Sequence, residues 1–196
     1  SLNEDYDCSE EWTSEILDQS GWLPGPRPYD KFGYPNFPCL ANVNSTHSML
    51  IGGDPILPES ESWLYDWTAN EWHQKGALNQ GRYGHGCISL EGGGVLVAGG
   101  LGPGDNPLYT AELYDPSSGT WSLQPNLPQE IDPTLPFLMN LNGDAIALFY
   151  LSDKVYKQGR DGEWTEMEGV QLPIYYIDFS VTRAVLVPDA FSLGCL

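Results

Sequence analysis

The stretch AELYDPSSGTW, residues 111–121, reads as a strand ending near Tyr114, a tight DPSSG turn and a second strand opening at Trp121. Forty-nine residues earlier stands SWLYDWTANEW, residues 62–72, with the same internal spacing. Tyr65 precedes Trp72 by seven residues, as Tyr114 precedes Trp121. A double glycine repeats on the same scale: HSMLIGG ends at Gly53 and GVLVAGG at Gly100, 47 residues apart. A fainter third copy holds DAIALFY (144–150), Tyr156 and Trp164, without the glycines. Trp22, Trp72, Trp121 and Trp164 mark the period, at intervals of 50, 49 and 43 residues.

Each apolar strand is preceded by another: FPCLANV (37–43), HGCISL (85–90) and LPFLMNL (135–141). The unit therefore holds four short strands, which in the second copy fall near 84–90, 94–100, 110–115 and 120–124. Turn-rich connectors separate them: EGG (91–93), LGPGDNP (101–107) and DPSSG (115–119). No helical periodicity runs through the unit. A lone four-stranded sheet leaves both faces wet, and stacking successive sheets buries them, so the repeat predicts an all-β propeller of four-stranded antiparallel blades.

The series RYGH, GGGVLVAGG and AELYDPSSGTW, within 82–121, resembles a kelch repeat. The resemblance is specific in 37–72 and 82–121, partial in 134–164 and weak at both ends. It implies that Gly52, Gly53, Gly99 and Gly100 close the second strands. It also counts Tyr65, Trp72, Tyr114, Trp121, Tyr156 and Trp164 as motif residues, and as large aromatics with a polar tip Tyr65, Trp72, Tyr114 and Trp121 suit the wedge between adjacent sheets. The expected organisation is one propeller region over 1–196. Its units are a half-blade at 1–24, blades at 37–75 and 82–124, a degenerate blade at 134–167 and a half-blade at 172–196. The two half-blades either close a small ring of about four blades or belong to an open arc of a larger ring.

Closure of the small ring would make neighbours of Cys8 and Cys195, the candidate disulfide. Cys39 and Cys87 each lie two residues into a first strand. Equivalent positions in neighbouring blades face alike, so both are expected to be small buried residues rather than a bridge. Asn44-Ser45-Thr46 is a glycosylation sequon in the turn between the first two strands. With an even cysteine count, it tilts the reading toward an extracellular protein.

The 196 residues carry 27 acidic and 8 basic side chains, a net charge of -19. That balance opposes nucleic-acid and anionic-membrane binding, which need clustered Lys and Arg. No apolar run is long enough to span a bilayer. His47, His73 and His85 share no ligand spacing, and neither a nucleophile elbow nor a phosphate loop occurs, so no catalytic residue, metal or cofactor is assigned. The copper-dependent galactose oxidases use a similar propeller, and a carbohydrate-modifying enzyme is the rival expectation.

The long, variable connectors follow the second and fourth strands of each unit, which places them on one rim. Variable loops on a rigid frame are where recognition usually sits. The expectation is a scaffold for a protein partner, with a glycan as the second choice, through Trp63, Tyr83, Asp105 and Tyr109.

Overall fold

The computed structural model describes residues 14–18, 21–25, 37–53, 60–149, 152 and 154–170. Three four-stranded antiparallel sheets follow one another along the chain. The first comprises β3 (Cys39–Asn44), β4 (His47–Ile51), β5 (Ser62–Asp66) and β6 (Glu71–Gln74). The second comprises β7 (Gly86–Ser89), β8 (Val95–Ala98), β11 (Ala111–Asp115) and β12 (Thr120–Gln124). The third comprises β13 (Phe137–Leu141), β14 (Asp144–Leu148), β15 (Val155–Gln158) and β16 (Trp164–Glu166). Each is a simple meander, as a propeller blade requires. β1 (Ser14–Asp18) and β2 (Gly21–Gly25) form a two-stranded ladder. A short ribbon of β9 (Leu101–Gly102) and β10 (Asn106–Pro107) sits in the connector from β8 to β11. The chain ends around Cys8 and Cys195 lie outside the described residues.

The run VLVA of β8 is buried at every position, because its alternate side chains feed two cores. Val95 and Val97 join Met49 and Ile51 of the first blade, with Tyr114 and Trp121 filling the gap. Leu96 and Ala98 join Leu138, Ala147 and Phe149 of the third blade, with Tyr156 and Trp164 alongside. Tyr114 stands directly across the ladder from both Val95 and Trp121, so all three face the first blade. The Trp121 indole completes the contact, donating to Ser62 Oγ of that blade at 3.2 Å. The third blade departs from this pattern. Tyr156 lies opposite Glu166 and Trp164 opposite Gln158, matching its eight-residue Tyr–Trp spacing.

The double glycines latch one blade to the next. Gly53 N–H donates to the Arg82 carbonyl at 3.0 Å, and Gly100 N–H donates to the Pro133 carbonyl at 2.8 Å. In each case the acceptor belongs to the connector that leads into the next blade. The preceding glycine lies against the same carbonyl: a Cβ on Gly99 would stand 2.5 Å from Pro133 O and 2.9 Å from Pro136 Cγ. Gly99 also holds φ at +67°, a conformation that L side chains rarely adopt.

The first strands converge, β7 packing beside both β3 and β13. There Cys39 and Cys87 form a disulfide, with Cα atoms 5.9 Å apart. This corrects the expectation of two separate buried thiols. Cys39 pairs with Ile51, the residue just before its double glycine. Cys87 pairs with Val97, two residues before Gly99, while Gly86 takes the Ala98 partner. The two cysteines are therefore offset by one position, and a one-residue offset reverses the side of a strand. Cys39 shares the face of Ile51 and Cys87 that of Val97, and both of those residues point into the shared core.

Two outcomes follow from these contacts. Gly99→Ala is expected to lose about 3 kcal/mol or more from combined strain and overlap, whereas Gly92→Ala, with nothing within 4 Å, should lose about 1–2 kcal/mol. Urea denaturation measures both. Replacing Cys39 and Cys87 together by Ser should remove about 4 kcal/mol by loop entropy, and reductant should then destabilise only the parent protein.

Candidate docking rim

The connectors after second and fourth strands form one surface, and the described ones are tied to each other by backbone hydrogen bonds. Tyr83, in the connector from β6 to β7, exchanges two such bonds with Leu101, at 2.9 and 2.8 Å. This adds Tyr83 to the edge of the β9–β10 ribbon. Its hydroxyl also donates to the Asp105 carboxylate, which with burial pushes the phenol up to about 12. Residues 103–107 at the ribbon tip are exposed. On the other side, Leu127 N–H donates to the Tyr109 carbonyl at 2.7 Å, and the Tyr109 hydroxyl donates to Ile131 O at 3.2 Å.

Beneath this surface lies a buried ion pair. Arg82 and Glu112 have side chains 0% exposed and meet at 2.8 Å. The Arg82 guanidinium also donates to Gly99 O at 2.9 Å and Thr110 O at 3.0 Å. Burial lowers the Arg82 pKa, and the Glu112 carboxylate opposes that shift. Glu112 further accepts from Asn79 N–H at 2.7 Å, Asn79 Nδ2 at 2.8 Å and Gln80 N–H at 3.1 Å. These bonds, which leave only Arg82 Nε of the pair's buried polar atoms without a partner, are what make a buried charge pair tolerable. Its effect here is to pin the 75–85 connector onto the middle blade.

His85 completes the buried layer. Its ring lies between the two latches, its Cε1 3.0 Å from where a Cβ on Gly52 would be and its Cβ 2.8 Å from the equivalent point on Gly100. Neither ring nitrogen has a protein partner. Burial, reinforced by the Arg82 charge, pushes the His85 pKa down to about 3, so the ring is neutral.

The four residues expected to bind a partner occupy different settings. Asp105 is exposed at the ribbon tip. Tyr83 is 8% exposed and engaged with Asp105. Tyr109 is half-buried, packed on the core between the second and third blades. Trp63 is half-buried and donates from Nε1 to Glu61 Oε2 at 3.1 Å. Three of them are thus joined to neighbouring connectors rather than standing free. Asn44 is exposed on the opposite rim.

Sequence reasoning missed Arg82 and Glu112. Their signal was an Arg just ahead of a first strand and an acidic residue among the apolar positions before Tyr114 in the third strand. Trp63 holds the corresponding place in the first blade, two residues before Tyr65, as Glu112 stands two before Tyr114. Among the described residues, no group of three His, Cys, Asp or Glu side chains is placed to hold a metal ion. No helix there is long and apolar enough to cross a membrane.

Residues 81–128 match the Kelch motif family. An Arabidopsis thaliana F-box/kelch-repeat protein is 29% identical over 119 residues, covering 59% of this chain and 29% of the relative. A second such Arabidopsis thaliana protein is 32% identical over 111 residues, 55% of this chain and 31% of the relative. Human Kelch-like protein 25 is 28% identical over 94 residues, 48% of this chain and 16% of the relative. Residues 81–128 thus carry a kelch motif and the chain is similar to kelch-repeat proteins, and it spans less than a third of the length of these curated relatives.

The neutral, buried His85 makes stability depend on pH. An unfolded chain takes up the proton below the ordinary value of 6.5, and the folded one only near 3. The contribution is complete above 6.5 and is lost as pH falls toward 3. Asp66 and Asp115, held low mainly by hydrogen bonds within their turns, act only below 3.8. The melting temperature is therefore expected to fall between about pH 6.5 and 4.5, less steeply in His85→Asn. Equal slopes for the two proteins would contradict this role.

Proposed function

We propose that this kelch-repeat chain is a non-catalytic scaffold that binds a protein partner through the rim of second- and fourth-strand connectors. The observation that carries the reading is the rim's construction. Its connectors hydrogen-bond to one another above the Arg82–Glu112 pair, so the exposed ribbon tip stands on a fixed base. Fixed loops lose little freedom on binding, which favours recognition.

Charge narrows the partner. Asp105, Glu130 and Asp132 are exposed on this rim, and Glu61 is half-buried there. Among the described residues of this rim, the half-buried Lys75 is the one base outside an ion pair, since Arg82 pairs with Glu112 and Lys154 with Glu166. A basic protein surface is the complementary form, and opposed charge would speed and orient its approach. The F-box/kelch and Kelch-like names of the relatives fit a protein-interaction role.

The structure also dictates how to test the rim. Thr110 and Tyr109 hold Arg82 and the next connector, so exchanging the whole 101–110 segment would disturb the blades themselves. The suitable variant combines Asp105→Asn, Glu130→Gln and Asp132→Asn, which removes three charges and keeps the shapes. Its control neutralises Glu91, Asp161 and Glu163, which are exposed in turns of the opposite rim. Captured partners should be reduced for the first variant only, with a weaker dependence on salt. Equal capture by both variants would refute docking on this rim, and stoichiometric copper in the purified protein would favour the oxidase reading.

A further inference from the structure

The turn between β3 and β4 carries Asn44, Ser45 and Thr46, all exposed. Asn44 Oδ1 accepts from Thr46 N–H at 2.8 Å and from the Thr46 hydroxyl at 3.0 Å. His47 Nδ1 lies 3.1 Å from the same oxygen. All three contacts fall on the amide oxygen, so the amide nitrogen is the end of Asn44 turned to chemistry from outside. Asn-Ser-Thr is the triplet that N-glycosylation requires, and an exposed hairpin turn has room for the sugar.

The same strand supplies a second, independent observation. β3 begins at Cys39, whose disulfide to Cys87 joins two blades. Such bridges form and persist where thiols are oxidised, which in a eukaryotic cell is also where Asn-linked oligosaccharides are added. We propose that Asn44 is an N-glycan acceptor and that the chain matures in that compartment.

The transfer balances without an external oxidant. Asn44 Nδ2 attacks the anomeric carbon of an oligosaccharide linked to a lipid diphosphate. The C–N bond forms, the C–O bond to the diphosphate breaks, and the lipid diphosphate leaves. The amide proton passes to a base of the transferase. Disulfide formation is a separate step, in which the two thiols give two electrons and two protons to a disulfide-carrying oxidoreductase.

The position has a consequence for recognition. First-to-second-strand turns lie on the rim opposite the proposed docking connectors. A glycan at Asn44 would shield the turn around His47 and Asp66, which lie 3.6 Å apart, and leave the ribbon tip of residues 103–107 clear. The glycan inference does not rest on the docking reading, and each fails on its own measurement.

The test uses the full-length protein isolated from its own cells. Peptide-N-glycosidase treatment in heavy-oxygen water should convert Asn44 to labelled aspartate and increase the electrophoretic mobility of the chain. Unreduced peptide mapping of the same sample should recover Cys39 joined to Cys87. Full-length Thr46→Ala, expressed in those cells, should lose the mobility shift, and Thr46→Ser, which keeps the triplet, should retain it. Both variants should melt with the parent, which separates lost glycan from lost fold. An unmodified Asn44, or a shift that survives Thr46→Ala, would overturn the proposal. Recovery of Cys39 and Cys87 as free thiols would overturn it as well.

Discussion

The packing of one sheet on the next depends on a hydrogen bond between a glycine N–H and the connector that enters the following blade. Gly53 reaches Arg82 and Gly100 reaches Pro133 in the same way. A side chain on either preceding glycine would collide with the acceptor. The close approach sets the separation between sheets, and with it the width of the wedge that Tyr114 and Trp121 fill. The two apolar cores are consequences of that spacing. Dispersion and burial supply most of the stabilising energy, but both require the sheets to be held within contact distance.

The polar layer does a different job. A buried ion pair adds little net stability over an apolar substitute of the same shape, because removing two charges from water opposes their attraction. What Arg82 and Glu112 contribute is position. Through six donors and acceptors on the 75–85 connector and the middle blade, they give the rim one arrangement. The first blade has Trp63 where the second has Glu112, and the third has Lys154, which pairs with Glu166 instead. Among the described residues, the middle blade is thus where the rim is tied down by a buried ion pair.

The two rims differ in character. The proposed docking rim is built from longer connectors, and those after the fourth strands cross between blades. The opposite rim is built from short turns closed by their own side chains, as Asp66 accepts from Thr68 and Ala69, and Asp115 from Ser117. Self-contained turns can carry a bulky modification without transmitting it to the cores. Connectors that share hydrogen bonds with the next blade cannot be altered so freely, because their carbonyls hold the latch.

Several features were legible in the residues alone, because they are local. The period of Tyr, Trp and paired glycine marked the blades, alternation and turn chemistry located their strands, and the rim assignment followed from antiparallel connectivity. Three others needed the fold. The Arg82–Glu112 pair joins residues thirty positions apart, and nothing in either neighbourhood names the other. Tyr83 and Tyr109 look like free aromatic anchors in the sequence, yet hydrogen bonds to Asp105 and Ile131 tie them to neighbouring connectors. The cysteines are the sharpest case. Counting from the start of each strand makes Cys39 and Cys87 equivalent, whereas counting back from Gly52 and Gly99 gives thirteen and twelve residues. Sequence determined that a first strand was present in each blade. Only the tertiary ladder decided its register, and because side chains alternate along a strand, one step of register turned two parallel thiols into a facing pair.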